Sequence, residues 1–158
     1  MMKYWLLKTE PDTYSWTDLK NEGDRGTSWE GVRNYQARNY IRDDMKIGDL
    51  AFIYHSVTKP QAIIGIAEII KEAYPDHFAF EKDHKYFDPK SKKDNPAWFM
   101  VDLKAKGEFN SELTIDEIKK YPELKNMVLL NNTRLSVQPV APEEWKFIIL
   151  LRKIQDIK

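Results

Sequence analysis

The chain has no cysteine. That excludes disulfides, cysteine-ligated zinc and thiol catalysis, and it fits a reducing compartment, so a cytoplasmic protein is expected. It also lacks net charge: 25 basic side chains balance 25 acidic ones. A protein that grips nucleic acid by overall charge is strongly basic, so any such contact here must come from a local patch. No run of eighteen or more apolar residues exists, so no membrane-spanning helix is expected. The opening apolar run, within Met1–Lys8, is too short for an export signal and lacks a small-residue cleavage site. There is no glycine-rich phosphate loop and no Gly-x-Ser-x-Gly elbow.

What remains is a chain of 158 residues, 42% hydrophobic and 32% charged. That is long enough to bury a core and short enough to read as one domain spanning 1–158. Tyr4–Lys8 reads as a strand broken by Glu10-Pro11. Ser15 caps a short helix, with Asp18 as the reciprocal partner. Asn34 caps a second helix expected to run to about Met45, with Ala37, Tyr40, Ile41 and Met45 facing the core. Leu50–Ser56 and Ile63–Ile70 are apolar enough to be strands buried on both faces, joined by a tight turn at Thr58–Gln61. Tyr74–Ala97 is charged and reads mostly as exposed loop, carrying Lys90, Lys92 and Lys93. Trp98–Lys106 alternates as a strand. Thr114 starts a helix with Glu117 three residues on, and Leu135–Val140 is a short strand. Pro142 opens a last helix whose face Trp145, Ile148, Ile149 and Arg152 ends in a basic turn. The whole is α+β: five or more strands in a curled sheet or small barrel with helices at its ends.

The densest polar and aromatic stretch is Trp29–Arg38. Rings beside an amide and a guanidinium can stack on a flat polar ligand such as a nucleobase. Trp and Tyr are equally at home in cores and Asn in caps, so the stretch alone does not decide. Three further segments set polar groups beside apolar strands: Lys8–Pro11, Tyr54-His55-Ser56 and Leu135–Gln138. A strand period of two sends His55 and Ser56 to opposite faces, so at most one enters a shared pocket. A triad of Ser56, His55 and Glu10 is therefore disfavoured. His77 and His84 with Asp76, Asp83 and Asp88 follow no zinc spacing and read as a solvated loop. Neither metal nor cofactor is expected. Asn34, Arg38 and Arg42 share a helix face that is either solvated or runs along a phosphate backbone, extended by Lys90, Lys92 and Lys93.

Taken in order, these segments resemble the EVE domain family of the PUA-like fold group. The resemblance rests on Tyr4–Lys8 with Glu10-Pro11, Tyr14-Ser15-Trp16 and Trp29 with Gly31–Tyr35 and Ala37-Arg38-Asn39. It continues through Met45-Lys46, Gly48-Asp49, Phe52 and Tyr54-His55-Ser56. Gly65-Ile66, Glu68, Glu72–Asp76, Asp88–Ser91, Trp98 and Met100-Val101-Asp102 follow, then Leu135–Val140 and Glu144-Trp145. It implies a PUA-like pseudo-barrel that reads modified bases in DNA or RNA without catalysis, similar in plan to the YTH readers of methylated adenine. It also implies a pocket wall of Trp29, Asn34, Tyr35, His55 and Ser56 facing Leu135, Ser136, Val137 and Gln138. On this reading Trp29 stacks on the base and Asn34, Ser56 and Ser136 bond its polar edge. Arg33, Arg38 and Arg42 hold phosphates. Two alternatives stay open: a sensor of a free nucleotide, nucleoside or other small molecule, and an enzyme using His55 and Glu10.

Overall fold

The computed structural model describes residues 2–157. Its frame is a mixed sheet of seven strands in the order β2 (Thr27–Ser28), β5 (Phe99–Thr114), β4 (Ala62–Pro75), β3 (Leu50–His55), β1 (Tyr4–Thr9), β6 (Val137–Val140), with β7 (Ile154–Asp156) also paired to β5. β1 (Tyr4–Thr9) lies between β3 (Leu50–His55), to which it is parallel, and β6 (Val137–Val140), to which it is antiparallel. A parallel pair needs a crossover. Here α1 (Trp16–Asn21), β2 (Thr27–Ser28) and α2 (Tyr35–Asn39) supply it.

Both faces of β1 and β3 are covered, which is why these segments read as unbroken apolar runs. Trp5, Leu7, Ala51 and Ile53 join one core cluster, whereas Leu6, Phe52 and Tyr54 join the other. β4 (Ala62–Pro75) and β5 (Phe99–Thr114) form the long antiparallel pair, and their register shifts at four places. Such bulges bend and twist strands. The bend shows in the packing: Val101 and Leu103 of β5 and Val137 of β6, far apart along the strand order, share one cluster. The sheet therefore curls, but the hydrogen-bonded path stays open, as an unclosed PUA-like pseudo-barrel.

Local signals placed most helix starts. The Ser15 side chain accepts from Asp18 N while Asp18 accepts from Ser15 N. Thr114 accepts from Glu117 N at the start of α3 (Ile115–Ile118). α4 (Val128–Asn131) precedes β6, and α5 (Pro142–Leu151) packs Trp145 and Ile148 inward before β7 (Ile154–Asp156).

Four expectations on element extent are corrected. α2 stops at Asn39 and passes into a π turn over Tyr40–Asp44, although Ala37, Ile41 and Met45 are buried as the spacing predicts. β5 runs on to Thr114. Arg152 lies beyond α5 in extended backbone, and its guanidinium pairs with Glu117. Residues 74–97 are mostly loop, as expected, but only half exposed: β4 continues to Pro75, a 3-10 turn covers His77–Phe80, and Asp76, Ala79 and Ser91 are buried. The cause is the buried Asp76 carboxylate, which collects donors from its own turn and from the segment after Trp29.

Candidate functional site

Between its two edge strands the sheet leaves a seam, and the seam holds a cavity of about 620 Å³. Thr27 and Ser28 of β2 border it on one side, and Thr133, Arg134 and Ser136, leading into β6, on the other. The floor is set by the end of β1, where Lys8 N donates to Ser136 O (3.0 Å) and Ser56 N to Thr9 O (2.9 Å). Those bonds tie three segments, remote in sequence, into one wall. The volume falls inside the range of about 300–1,000 Å³ usual for small-ligand sites.

Trp29 lines this cavity. Its backbone N–H donates to Val101 O at 2.8 Å, extending the pairing of β2 with β5 and fixing where the ring starts. Comparison with the other four tryptophans is informative. Trp5, Trp16 and Trp98 donate their ring N–H to Asp49, Glu108 and Asp88. Trp145 is sandwiched between Tyr4 and Phe52. Among the described residues no hydrogen bond uses the Trp29 ring N–H. The ring meets Tyr14 edge-on at 6.2 Å. It is only 8% exposed, so it presents a strip of the indole rather than a whole face.

The wall beside it is buttressed from behind. Gly31 adopts φ +80°, and a Cβ there would sit 2.3 Å from the Tyr86 ring. Only glycine satisfies both demands. Tyr86 thus packs flat on the backbone and becomes a second ring of the cavity. Asp76 accepts from Gly31 N and from the Arg33 guanidinium, each at 3.0 Å. Arg33 also donates to Tyr86 O at 2.7 Å and lies over the Tyr86 and Trp98 rings.

Of the residues expected in a base pocket, Trp29, Ser56 and Ser136 border the cavity. The others lie elsewhere, each for a visible reason. The Asn34 side chain accepts from Ala37 N and is spent as a helix cap. Tyr35 is exposed and stacks on Trp98. His55 points away from Ser56, as the strand period requires, and its Nε2 accepts from Trp16 N at 3.0 Å. Burial lowers the His55 pKa, opposed by the charge of Glu112. Leu135 and Val137 are core, and the buried Gln138 amide donates to Leu135 O. Arg33 is held by Asp76, and Arg38 donates to Ala97 O beneath Tyr35. Arg42 pairs with its neighbour Asp43.

Several cavity residues were missing from the expected set. Lys8 and Glu10 lie in one of the polar segments beside apolar strands, Tyr14 belongs to the family resemblance and Glu30 to the stretch Trp29–Arg38, but Lys85, Tyr86 and Arg134 carry no sequence signal of their own. Lys8 donates to Thr133 O, and burial lowers its pKa. Lys85 lies 4.9 Å from the Tyr86 ring centre. Arg134 is exposed and makes no ion pair among the described residues. The cavity thus mixes cations with the carboxylates of Glu10 and Glu30. With His55 turned away, Ser56 and Glu10 have no histidine base between them, so the geometry lends no support to a hydrolytic triad. Among the described residues no three His, Asp or Glu side chains are grouped to hold a metal ion. No helix of the described residues is long and apolar enough to cross a membrane.

Thymocyte nuclear protein 1 from Homo sapiens is 42% identical over 170 residues, covering 97% of this chain and 75% of that protein. The crystal structure of human THYN1 protein in complex with 5-methylcytosine containing DNA is 43% identical, with TM-score 0.91 over 94% of this chain and 96% of that one. A structure of a hypothetical protein from Leishmania major is 42% identical, with TM-score 0.90 over 96% of this chain and 94% of that one. Residues 3–151 match the EVE domain family. With this match over most of its length, and with the fold described above, the chain belongs to the EVE domain family.

Proposed function

We propose that this protein is a non-enzymatic reader of a modified nucleobase, taking the extruded base into the seam cavity. The observation that carries the proposal is the cavity itself. It is of ligand size, bordered by Tyr14, Trp29 and Tyr86, and lined with hydroxyls from Ser56 and Ser136. A relative of 43% identity was crystallised with DNA containing 5-methylcytosine, which supports methylated DNA as the first partner to test. RNA carrying a modified base is the same chemistry on another backbone.

Tyr86 supplies stacking surface, worth about 1–3 kcal/mol per base, and the exposed strip of the Trp29 indole adds an edge contact beside it. A methyl group is met by the apolar wall at Val32 and Val57, worth about 0.8 kcal/mol when fully buried. So small a term leaves most discrimination to polar groups that a wrong base would strand. Arg33, Arg38 and Arg42 are engaged within the protein, so the phosphate contacts fall to Arg134 and Lys85 beside the cavity. With about two phosphates neutralised, the slope of log K against log salt is about −2. The cysteine-free composition fits a reducing compartment, and the cytoplasm is the proposed location.

The test is titration of oligonucleotides that differ only in one modified base, followed by tryptophan fluorescence. Binding of the modified strand with a signal change lost in Trp29→Phe supports the reading. Equal and negligible binding of every oligonucleotide sinks it. The second reading, a receptor for a free nucleoside, is favoured by the neutral chain and the cavity volume. A nucleoside that raises the melting temperature while no oligonucleotide binds would establish it instead.

A further inference from the structure

Two polar groups at the cavity are left with capacity the protein does not use. Among the described residues the buried Tyr14 hydroxyl makes no well-formed hydrogen bond, although the Thr27 side chain lies close enough to act on its pKa. A buried polar atom without a partner costs about 1–3 kcal/mol unless something else satisfies it. Glu30 is half-buried and borders the same cavity. Its Oε2 accepts from Ser28 Oγ at 3.1 Å, and among the described residues Oε1 has no partner. The two groups flank Trp29: Glu30 follows it in the chain, and Tyr14 meets its ring edge-on. Burial is what chiefly raises the Tyr14 pKa, against an opposing interaction with Thr27 and with smaller additions from Glu22, Asp18 and Glu30, so the hydroxyl stays protonated and able to donate.

We infer that Glu30 and Tyr14 form a specificity pair that selects a base whose edge carries an exocyclic amino group next to a ring acceptor. This rests on the base-reader function proposed above. Cytosine and adenine present that edge, whereas thymine and uracil present an oxo group next to a ring N–H. A carboxylate can only accept, so it takes the amino N–H, and the Tyr14 hydroxyl donates to the adjacent ring nitrogen. Against thymine, the Glu30 carboxylate would face another acceptor, and both would be stranded away from water. The pair thus reads the polar edge, while the apolar wall reads the methyl group.

5-Methylcytosine and thymine carry the same methyl at the same carbon, so comparing them isolates the amino-for-oxo exchange. The experiment measures the affinity of three oligonucleotides identical but for one position: 5-methylcytosine, cytosine or thymine. The wild-type protein binds the 5-methylcytosine strand tighter than the thymine strand on the order of tenfold or more. In Glu30→Gln that ratio falls to within about threefold, because a carboxamide can turn either a donor or an acceptor to the base. Tyr14→Phe weakens the 5-methylcytosine complex severalfold and keeps or raises the melting temperature, since it deletes only an unpartnered buried hydroxyl. This second variant keeps the inference open to refutation even if Glu30→Gln fails to fold. A wild-type protein that binds 5-methylcytosine and thymine strands alike overturns it. So does a folded Glu30→Gln that keeps the full ratio, or a Tyr14→Phe with unchanged affinity. If the wild type prefers 5-methylcytosine to cytosine in either of those variant results, the reader function stands and only the role of the pair falls. If the wild type binds none of the three, both fall.

Discussion

From Trp29 to Gly31 the chain turns its groups toward the cavity; from Arg33 to Arg42 it spends them on the protein itself. Among the described residues, the first part leaves an indole N–H and a carboxylate oxygen without protein partners. The second has a helix cap in Asn34, a partly buried ion pair in Arg33–Asp76, and surface contacts for Arg38 and Arg42. The two parts look alike as residue types. What separates them is whether a partner stands within reach, and for Arg33 that partner lies 43 positions away at Asp76. A rich set of functional side chains is therefore no guide to a site until its internal bonds have been counted.

The contrast can be broken most forcefully at the junction. Asp76→Ala removes the acceptor of both Gly31 N and Arg33 and leaves a partly buried guanidinium unpaired. Chemical denaturation is expected to show a loss of about 2–4 kcal/mol, discounted for the partial exposure of Arg33. Gly31→Ala comes next. It must displace the Tyr86 ring, so oligonucleotide affinity should fall by about 1–3 kcal/mol, the worth of one stacked base. Unchanged affinity would show that Tyr86 is not part of the site.

The scaffold side predicts smaller effects of a different kind. Asn34→Ala should cost about 1 kcal/mol of stability through the lost cap and leave base affinity untouched. A drop in affinity at constant stability would return Asn34 to the pocket. Arg134→Ala should lower the steepness of the salt dependence by about one, whereas Arg42→Ala should leave it unchanged. The smallest effect concerns His55. Its folded pKa lies below the ordinary 6.5, so the unfolded chain takes up the proton first as pH falls. The stability it contributes is complete above 6.5 and is lost as the pH falls through the folded value. His55→Gln should flatten that part of a stability–pH profile.

Features that depend on neighbours in the chain were readable from it. Ser15, Asn34 and Thr114 cap helices through bonds to residues three positions on, and the alternation in β1 and β3 sorts side chains between two cores. The same alternation separates His55 from Ser56. Features made by distant partners were not readable. The length of β4 and the order of residues 76–91 depend on a carboxylate satisfied by Gly31 and Arg33. Trp29, Ser56 and Ser136 belong to the expected pocket set and Glu30 adjoins one of them, but Tyr14 and Tyr86 join the cavity only because the sheet curls. Nothing in a run such as Lys85-Tyr86 distinguishes a packed ring from a solvated one.

The open seam has one more consequence. A sheet that stops short of closing has two edges with unpaired backbone groups, and exposed edges invite strands from other molecules. Here β2 is only two residues long, and it and the approach to β6 border the same cavity. The curl that shapes the cavity therefore also turns the β2 edge and the approach to β6 toward each other. Enlarging the cavity by spreading those edges should make the protein prone to aggregate before it makes it a broader binder.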